Sequence, residues 1–267
     1  MSRLIAIANQ KGGVGKTTTT VNLSAALAHE GRTVLVIDMD PQGNASSGLG
    51  VNANEQNPGL YEVLLGRASA VKAIGPSVFP GVELLPSGQR LIGAEIELVS
   101  LPDREKILSR ALAPIRDRYD NILVDCPPSL GLLTVNTLTA ADSVLIPIQC
   151  EYYALEGLTQ LLSTIQLAKQ ALNQRLEIEG ILLTMYDSRL NLSQQVAEEA
   201  RKFFMGRVYE TVIPRNVRLS EAPSFGMPVM QYDRKSIGAE AYVSLAREMV
   251  HGRSAVAKPQ EEVLTHE

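Results

Sequence analysis

The sequence predicts an α/β fold: a mostly parallel twisted sheet with helices on both faces. Short apolar runs rich in β-branched residues recur along the chain, longer stretches with helical spacing separate them, and a glycine-rich loop follows the first run and opens the first helix. Strands that are apolar throughout belong to parallel sheets covered on both sides. In order, strands are expected at Leu4–Ala8, Thr33–Ile37, Val82–Leu85, Asn121–Val124, Ser143–Ile148 and Ile178–Thr184. Helices are expected at Thr17–Glu30, Asp103–Arg118, Ala154–Asn173, Leu192–Phe204 and Ile237–His251. Leu23, Ala26 and Leu27, and likewise Leu158, Leu161, Leu162 and Ile165, fall at three-to-four spacing, so each helix offers one apolar stripe to the sheet. The polar Asn52–Asn57 and the Pro/Gly-rich Gly75–Gly81 read as loops inside one domain spanning residues 1–251. Residues 252–267 lose periodicity and are expected to be a disordered tail. The first strand starts almost at residue 1, so no separate N-terminal helix-turn-helix domain is expected.

The composition narrows the function classes. The chain has 267 residues, 45% hydrophobic and 20% charged, which excludes a disordered or collagen-like chain. No apolar run approaches the ~20 residues of a membrane-spanning helix. Two cysteines, Cys126 and Cys150, are too few for a disulfide framework or a four-cysteine metal site. Residues 1–16 lack the layout of a secretory signal, and a cytoplasmic protein is expected. The formal net charge is −4 and the pI about 5.6, which supplies no global electrostatic reason to bind DNA or anionic lipid.

The most informative segment is Ala8–Thr18, ANQKGGVGKTT, placed between a strand and a helix. Gly15-Lys16-Thr17 closes a phosphate-loop pattern in the context that pattern requires. Gly12, Gly13 and Gly15 let the backbone N–H groups from Gly12 through Val14 to Thr18 turn inward around a triphosphate, and the following helix adds its positive N-terminal end. Lys16 is placed to reach the β- and γ-phosphates and the Thr17 hydroxyl to ligate Mg²⁺. Gln10 stands where the ordinary pattern has its first glycine, and Lys11 follows it, so two lysines bracket the loop. Spacing alone leaves Lys11 either reaching a nucleotide on a facing subunit or lying solvated on the surface.

Four segments in this order carry a family resemblance: KGGVGKTT, IDMDPQGN at Ile37–Asn44, ILVDCPPS at Ile122–Ser129, and IPRNVRLSEAPSFG at Ile213–Gly226. The chain resembles the ParA/Soj partitioning ATPases, of the deviant Walker A group that also contains MinD and the nitrogenase iron protein, from about Arg3 to His251. It looks like the short chromosomal type. The resemblance implies an ATP- and Mg²⁺-dependent ATPase that dimerises around ATP, with the lysine matching Lys11 crossing to the partner's nucleotide. It implies that the ATP state holds double-stranded DNA non-specifically, that a ParB-like partner stimulates hydrolysis, and that the protein acts on the nucleoid in the cytoplasm.

Asp38 and Asp40 end the second expected strand two residues apart, on one side of an extended chain and at the carboxyl end where open α/β sheets bind ligands. By the resemblance, Asp40 positions or activates the attacking water, Asp38 supports the phosphate loop and the metal shell, and Asp125 is the Walker B aspartate that holds Mg²⁺ through water. Pro41–Asn44 and Pro127–Ser129 match the two switch segments. The base site is carried over to Met185, Pro214, Arg215 and Asn216.

Residues 187–235 hold eight Lys/Arg against six Asp/Glu, leaving the rest of the chain at −6. Such an imbalance also describes an ordinary solvated basic face. The resemblance assigns Arg189 and Arg218 to a DNA-binding face doubled by dimerisation, with Arg234, Lys235 and Arg247 as lesser candidates. Competing readings are weaker. A MinD-like membrane ATPase needs a basic amphipathic C-terminal helix, whereas Ser254–Glu267 carries Lys258 against Glu261, Glu262 and Glu267. An iron-protein reductase needs cysteines at a dimer axis, and Cys126 and Cys150 both follow strands. A metabolic kinase or ligase on the same scaffold would reveal itself by an acceptor that raises turnover, and a non-enzymatic DNA-binding scaffold by the lack of hydrolysis.

Overall fold

The computed structural model describes residues 2–52, 58–151 and 158–252. Among them one sheet holds seven strands: β1 (Arg3–Ile7), β2 (Val34–Asp38), β3 (Gly75–Pro76), β4 (Val82–Leu85), β5 (Asn121–Asp125), β6 (Ser143–Gln149) and β7 (Glu177–Thr184). Their spatial order is β3-β4-β2-β5-β1-β6-β7, and every neighbouring pair is parallel except β3 with β4. The six expected strands are present. The extra one, β3, lies within Gly75–Gly81, expected to be a loop; Gly and Pro disguise it, and a proline is tolerated because β3 is an edge.

The longer helices are α1 (Lys16–His29), α2 (Leu91–Leu98), α3 (Leu132–Ala140), α4 (Leu158–Ala171), α5 (Asn191–Phe204) and α6 (Ile237–His251). The expected start of α4 at Ala154, most of the Asn52–Asn57 loop and the tail beyond Gly252 lie outside the described residues. The expected helix Asp103–Arg118 is instead three pieces, a 3₁₀ turn Arg104–Lys106, a helix Ile107–Leu112 and a 3₁₀ turn Arg116–Arg118. Pro114 falls after the second piece, where it has no N–H to continue the ladder. Neither α2 nor α3 shows in the sequence. In α3 the residues LLTVNTLTA have no charged face; Thr137 and Thr139 donate to the carbonyls of Leu133 and Val135, satisfying hydroxyls within the helix. In α2 the buried Leu91, Ala94 and Leu98 are matched by exposed Ile92 and Ile96, so no polar face marks the period. The stripe expected on α1 also understates its burial: Thr19 through Leu27 are all buried.

The pleat sorts each strand onto two cores. Leu35, Ile37, Ile122, Val124, Val144 and Ile146 join one cluster, whereas Val34, Val36, Ile5, Ile7, Leu123 and Leu145 join the other. Each such side chain contributes at most about 1.5–3 kcal/mol, and the sum holds the strand register. That register is what builds the site. Ile7 pairs with Asp125 and Asp125 with Asp38, so the carboxyl ends of β1, β5 and β2 present the glycine loop and both carboxylates side by side.

Candidate active site

The loop joining β1 to α1 is fastened from two directions. Asn9, 5% exposed, donates through Nδ2 to the Pro147 carbonyl at 2.7 Å and accepts the Lys11 amide through Oδ1 at 3.0 Å. From the end of β7, the Thr184 hydroxyl donates to the Val14 carbonyl at 2.9 Å. Gly13 and Gly15 take φ of 75° and 89°, a left-handed geometry strained for any other residue. A Cβ at Gly12 or Gly13 would meet nothing within 4 Å, so open space lies over the loop. Gly15 caps α1 without a side chain and the first turn carries no acidic residue, which leaves its amides for an external anion. Lys16 is 7% exposed and its Nζ donates to the Lys11 carbonyl at 3.2 Å. Burial pulls its pKa down, and Asp125 pulls it back up. Lys11 is half-buried and in no ion pair among the described residues.

The three aspartates sit in different surroundings. Asp125 is fully buried; Thr17 donates its hydroxyl to Oδ2 at 2.7 Å and Thr20, one turn along, donates to Oδ1 at 3.1 Å. This Thr17–Asp125 pair fits Mg²⁺: a hydroxyl and a carboxylate meet at the foot of an uncapped helix, oxygen donors of the kind the ion prefers. Asp38 is fully buried too, but Ser46 donates both its amide and its hydroxyl to Oδ2, each at 2.7 Å, and the Asp40 amide donates to Oδ1 at 3.2 Å. Asp38 was expected to support the phosphate loop and the metal shell; its oxygens accept from the segment that follows it. Asp40 is 9% exposed, with Oδ1 accepting the Gln42 amide at 2.9 Å and Oδ2 accepting nothing among the described residues.

Burial raises the pKa of Asp125, reinforced by repulsion from Asp38, and burial likewise raises that of Asp38 against the lowering effect of Ser46. Carboxyls that hold protons more tightly when folded than unfolded make stability fall as pH rises above the ordinary carboxylate range near ~4. The nucleotide-free protein is therefore expected to be less stable at about pH 8 than at about pH 5, by up to ~1.4 kcal/mol per pH unit for each proton retained. Urea denaturation at the two pH values measures this, and Asp125→Asn should flatten the dependence.

The expected base residues meet around one cavity. About 330 Å³ is enclosed by Met185, Pro214, Arg215 and Asn216 together with Gly15 and Thr18 of the loop, within the usual size of a ligand pocket. Tyr186 bridges to Pro214, and Met185 before it is held at φ 51°. The Asn216 Oδ1 accepts the Arg218 amide at 2.8 Å and caps the short helix Val217–Glu221, leaving its amide nitrogen as a donor. The Arg215 guanidinium pairs with Glu151 at 3.2 Å. A roomier cleft of about 760 Å³, lined by Leu162, Leu176 and Phe203 among others, lacks any such loop.

The expected basic face is divided and partly neutralised. Arg189, with its side chain 86% exposed, pairs with Asp187 at 2.7 Å and holds that carboxyl down at about 2. Arg218 pairs with Glu221 at 2.8 Å and Asp233 at 3.3 Å. Arg234 lies against His29, and the Lys235 amide donates to Asp233. Asp233 thus pairs with the Arg218 guanidinium and accepts the Lys235 amide, whereas Arg189 joins Asp187. Arg247 pairs with Glu30 at 3.0 Å.

Several residues of this site escaped the sequence. Thr20 sits one turn beyond the motif, and Thr184 closes the loop from 170 residues away. Ser46 enters only through folding. A repeated threonine run after Lys16 was the one available signal, since Thr17 and Thr20 share a helix face.

Comparison with known proteins gives consistent results. A family model described as an AAA domain matches residues 2–178. The sporulation initiation inhibitor protein Soj of Bacillus subtilis is 56% identical over 249 residues, covering 93% of this chain and 98% of that protein. A chromosome partitioning protein ParA of Caulobacter vibrioides is 54% identical over 250 residues, covering 93% of this chain and 94% of its own. Among solved structures, cobyrinic acid a,c-diamide synthase from Mycobacterium smegmatis with bound ADP and magnesium aligns with a TM-score of 0.84 at 39% identity, covering 97% of this chain and 98% of that one. The cell division ATPase MinD of Pyrococcus furiosus aligns with a TM-score of 0.77 at 32% identity, covering 93% and 98%.

Proposed function

Because the chain belongs to the ParA/Soj family of ATPases, using ATP and Mg²⁺, we propose that it is a nucleotide-switched partition ATPase whose ATP-bound dimer holds DNA non-specifically. A ParB-like partner triggers hydrolysis and release, in the cytoplasm and on the nucleoid. The observation that carries this reading is the strand register that sets Asp38, Asp125 and the glycine loop side by side, with Asp40 just beyond β2. In it, Gly12 to Thr18 cradle the phosphates, Lys16 neutralises them, Thr17 and Asp125 hold Mg²⁺, and Asp40 receives the water's proton. Bound Mg²⁺ would supply neutralisation of phosphate charge. Lys11 reaches the partner's nucleotide, and Met185, Pro214, Arg215 and Asn216 flank the base.

A route from the γ-phosphate to the basic face supports the switch. The segment after Asp40 forms the turn Asn44–Gly48, and a Cβ on Gly50 would lie 3.0 Å from the Gly226 carbonyl. Backbone therefore meets backbone where that segment touches the end of the stretch carrying Arg218, so movement of one displaces the other. The carboxylates paired with Arg189 and Arg218 do not prevent phosphate binding, since exposed ion pairs are worth only ~0–1 kcal/mol.

DNA co-sedimentation with ATP, ADP or no nucleotide across a salt series tests the proposal. Retention is expected with ATP alone and should fall steeply with salt. Arg189→Glu and Arg218→Glu are expected to lower retention at least tenfold at moderate salt while leaving ATP binding intact; undiminished retention by both removes the basic face from the proposal. The diamide-synthase neighbour is less similar than the partition proteins, 39% against 56% identity.

A further inference from the structure

Asp40 is held from three sides by groups outside the phosphate loop. Its amide donates to Asp38 Oδ1 at 3.2 Å, its carbonyl accepts the Ser87 hydroxyl at 3.0 Å, and its side chain caps the Gln42 amide at 2.9 Å. Ser87 is 3% exposed and follows β4, which lies beside β2 in the sheet, so the two strand ends deliver it to Asp40. Its amide donates to Ser46 Oγ at 3.1 Å, and that same hydroxyl donates to Asp38 Oδ2. The result is a closed ring of buried bonds, from Asp38 to Ser46 to Ser87 to the Asp40 carbonyl and from the Asp40 amide back to Asp38.

We propose that Ser87 and Ser46 are positioning residues for hydrolysis, fixing the backbone of Asp40 against Asp38 so that the Asp40 carboxylate faces the reacting water. Asp38 serves as the anchor of this ring. Its two oxygens accept from three donors of residues 40 and 46, whereas Thr17, the hydroxyl paired with the other carboxylate, donates to Asp125. The division is chemically sensible. With the Asp40 backbone held by the ring and only Oδ1 engaged by Gln42, Oδ2 is left to accept a proton, and a displacement of about 1 Å at the reacting group costs up to ~10²-fold in rate. Ser87 touches neither the glycine loop nor the base cavity, so its loss should leave nucleotide affinity alone.

The experiment is steady-state ATP hydrolysis by Ser87→Ala with nucleotide affinity measured separately by fluorescent-ATP titration. Expected is a fall in kcat of about tenfold, the size of one buried hydrogen bond, with ATP affinity unchanged within about twofold. In single-turnover assays Ser87→Ala added to Asp40→Ala should give no further loss, because the ring acts only through Asp40. An unchanged kcat, a parallel loss of affinity, or the same tenfold loss on top of Asp40→Ala overturns the proposal. Should Ser87→Ala fail to fold, Ser46→Ala carries the same test: it cuts the hydroxyl's bonds to Asp38 and Ser87 while the Ser46 amide still holds Asp38. The inference rests on the role given to Asp40. Normal turnover by Asp40→Ala would sink that role, whereas a slow Asp40→Ala beside a normal Ser87→Ala sinks the positioning ring alone.

Discussion

Lys16→Ala is expected to bind ATP some hundredfold more weakly than the parent protein while keeping its fold. The ammonium is buried, 7% exposed, and its Nζ is satisfied by one carbonyl, that of Lys11, at 3.2 Å. Burial already disfavours its charge, so a phosphate dianion placed over the open loop is a far better partner than a neutral carbonyl. Truncating one member of a buried charge pair costs about 2–5 kcal/mol, ~30-fold to several thousandfold in affinity. The competing contribution is the uncapped first turn of α1, which offers an anion ~0.3–1 kcal/mol, up to ~2 in partly buried geometry. The lysine dominates. Its loss also removes a cation that acts on Asp125 and Asp40. Calorimetric titration with ATP and Mg²⁺, beside a circular-dichroism melt to confirm folding, checks the outcome. Parental affinity in a folded Lys16→Ala would remove the phosphate-loop assignment.

How much of this was legible depended on the range of each interaction. The strands β1, β2 and β5 showed because parallel strands are apolar on both faces, a signal contained in five consecutive residues. The glycine loop showed because left-handed φ at Gly13 and Gly15 demands a residue type, again a local constraint. α3 stayed hidden because its polar residues satisfy themselves within the helix, and the break after Ile107–Leu112 was overridden by the favourable spacing on either side of Pro114. Within the site, the aspartates could be ranked only by resemblance, since Asp38, Asp40 and Asp125 are all strand-end acids. What separates them is non-local: Ser46 against Asp38, Thr17 and Thr20 against Asp125, and on Asp40 an Oδ2 that accepts nothing among the described residues. The ion pairing within the expected basic face was hidden for the same reason. Counting Lys and Arg over residues 187–235 does not reveal that Asp187, Glu221 and Asp233 fold back onto Arg189 and Arg218.

Asp40→Ala is expected to hydrolyse ATP about 10²–10⁴-fold more slowly, the contribution of a positioned general base, while binding ATP at least as tightly as the parent. The sign of the affinity change separates chemistry from binding. Asp40 lies at the carboxyl end of β2 and is among the charges acting on Lys16, so its carboxylate repels a nearby γ-phosphate. Deleting that charge favours the bound state, and a slower rate then cannot come from weaker occupancy. Asp125→Ala should differ, because it strips the buried partner of Thr17 and Thr20 and with it the Mg²⁺ affinity. Asp40→Asn sharpens the argument: its amide oxygen can still accept from Gln42, so the loop keeps its shape, yet the side chain no longer takes a proton. If Asp40→Asn is as slow as Asp40→Ala, proton acceptance is the function. If it retains parental turnover, Asp40 acts through loop shape alone. With hydrolysis blocked and ATP binding preserved, the proposed ATP-bound dimer would have no exit, and DNA-bound protein is expected to persist after dilution where the parent dissociates. Release of Asp40→Ala at the parental rate would break the proposed link between hydrolysis and DNA.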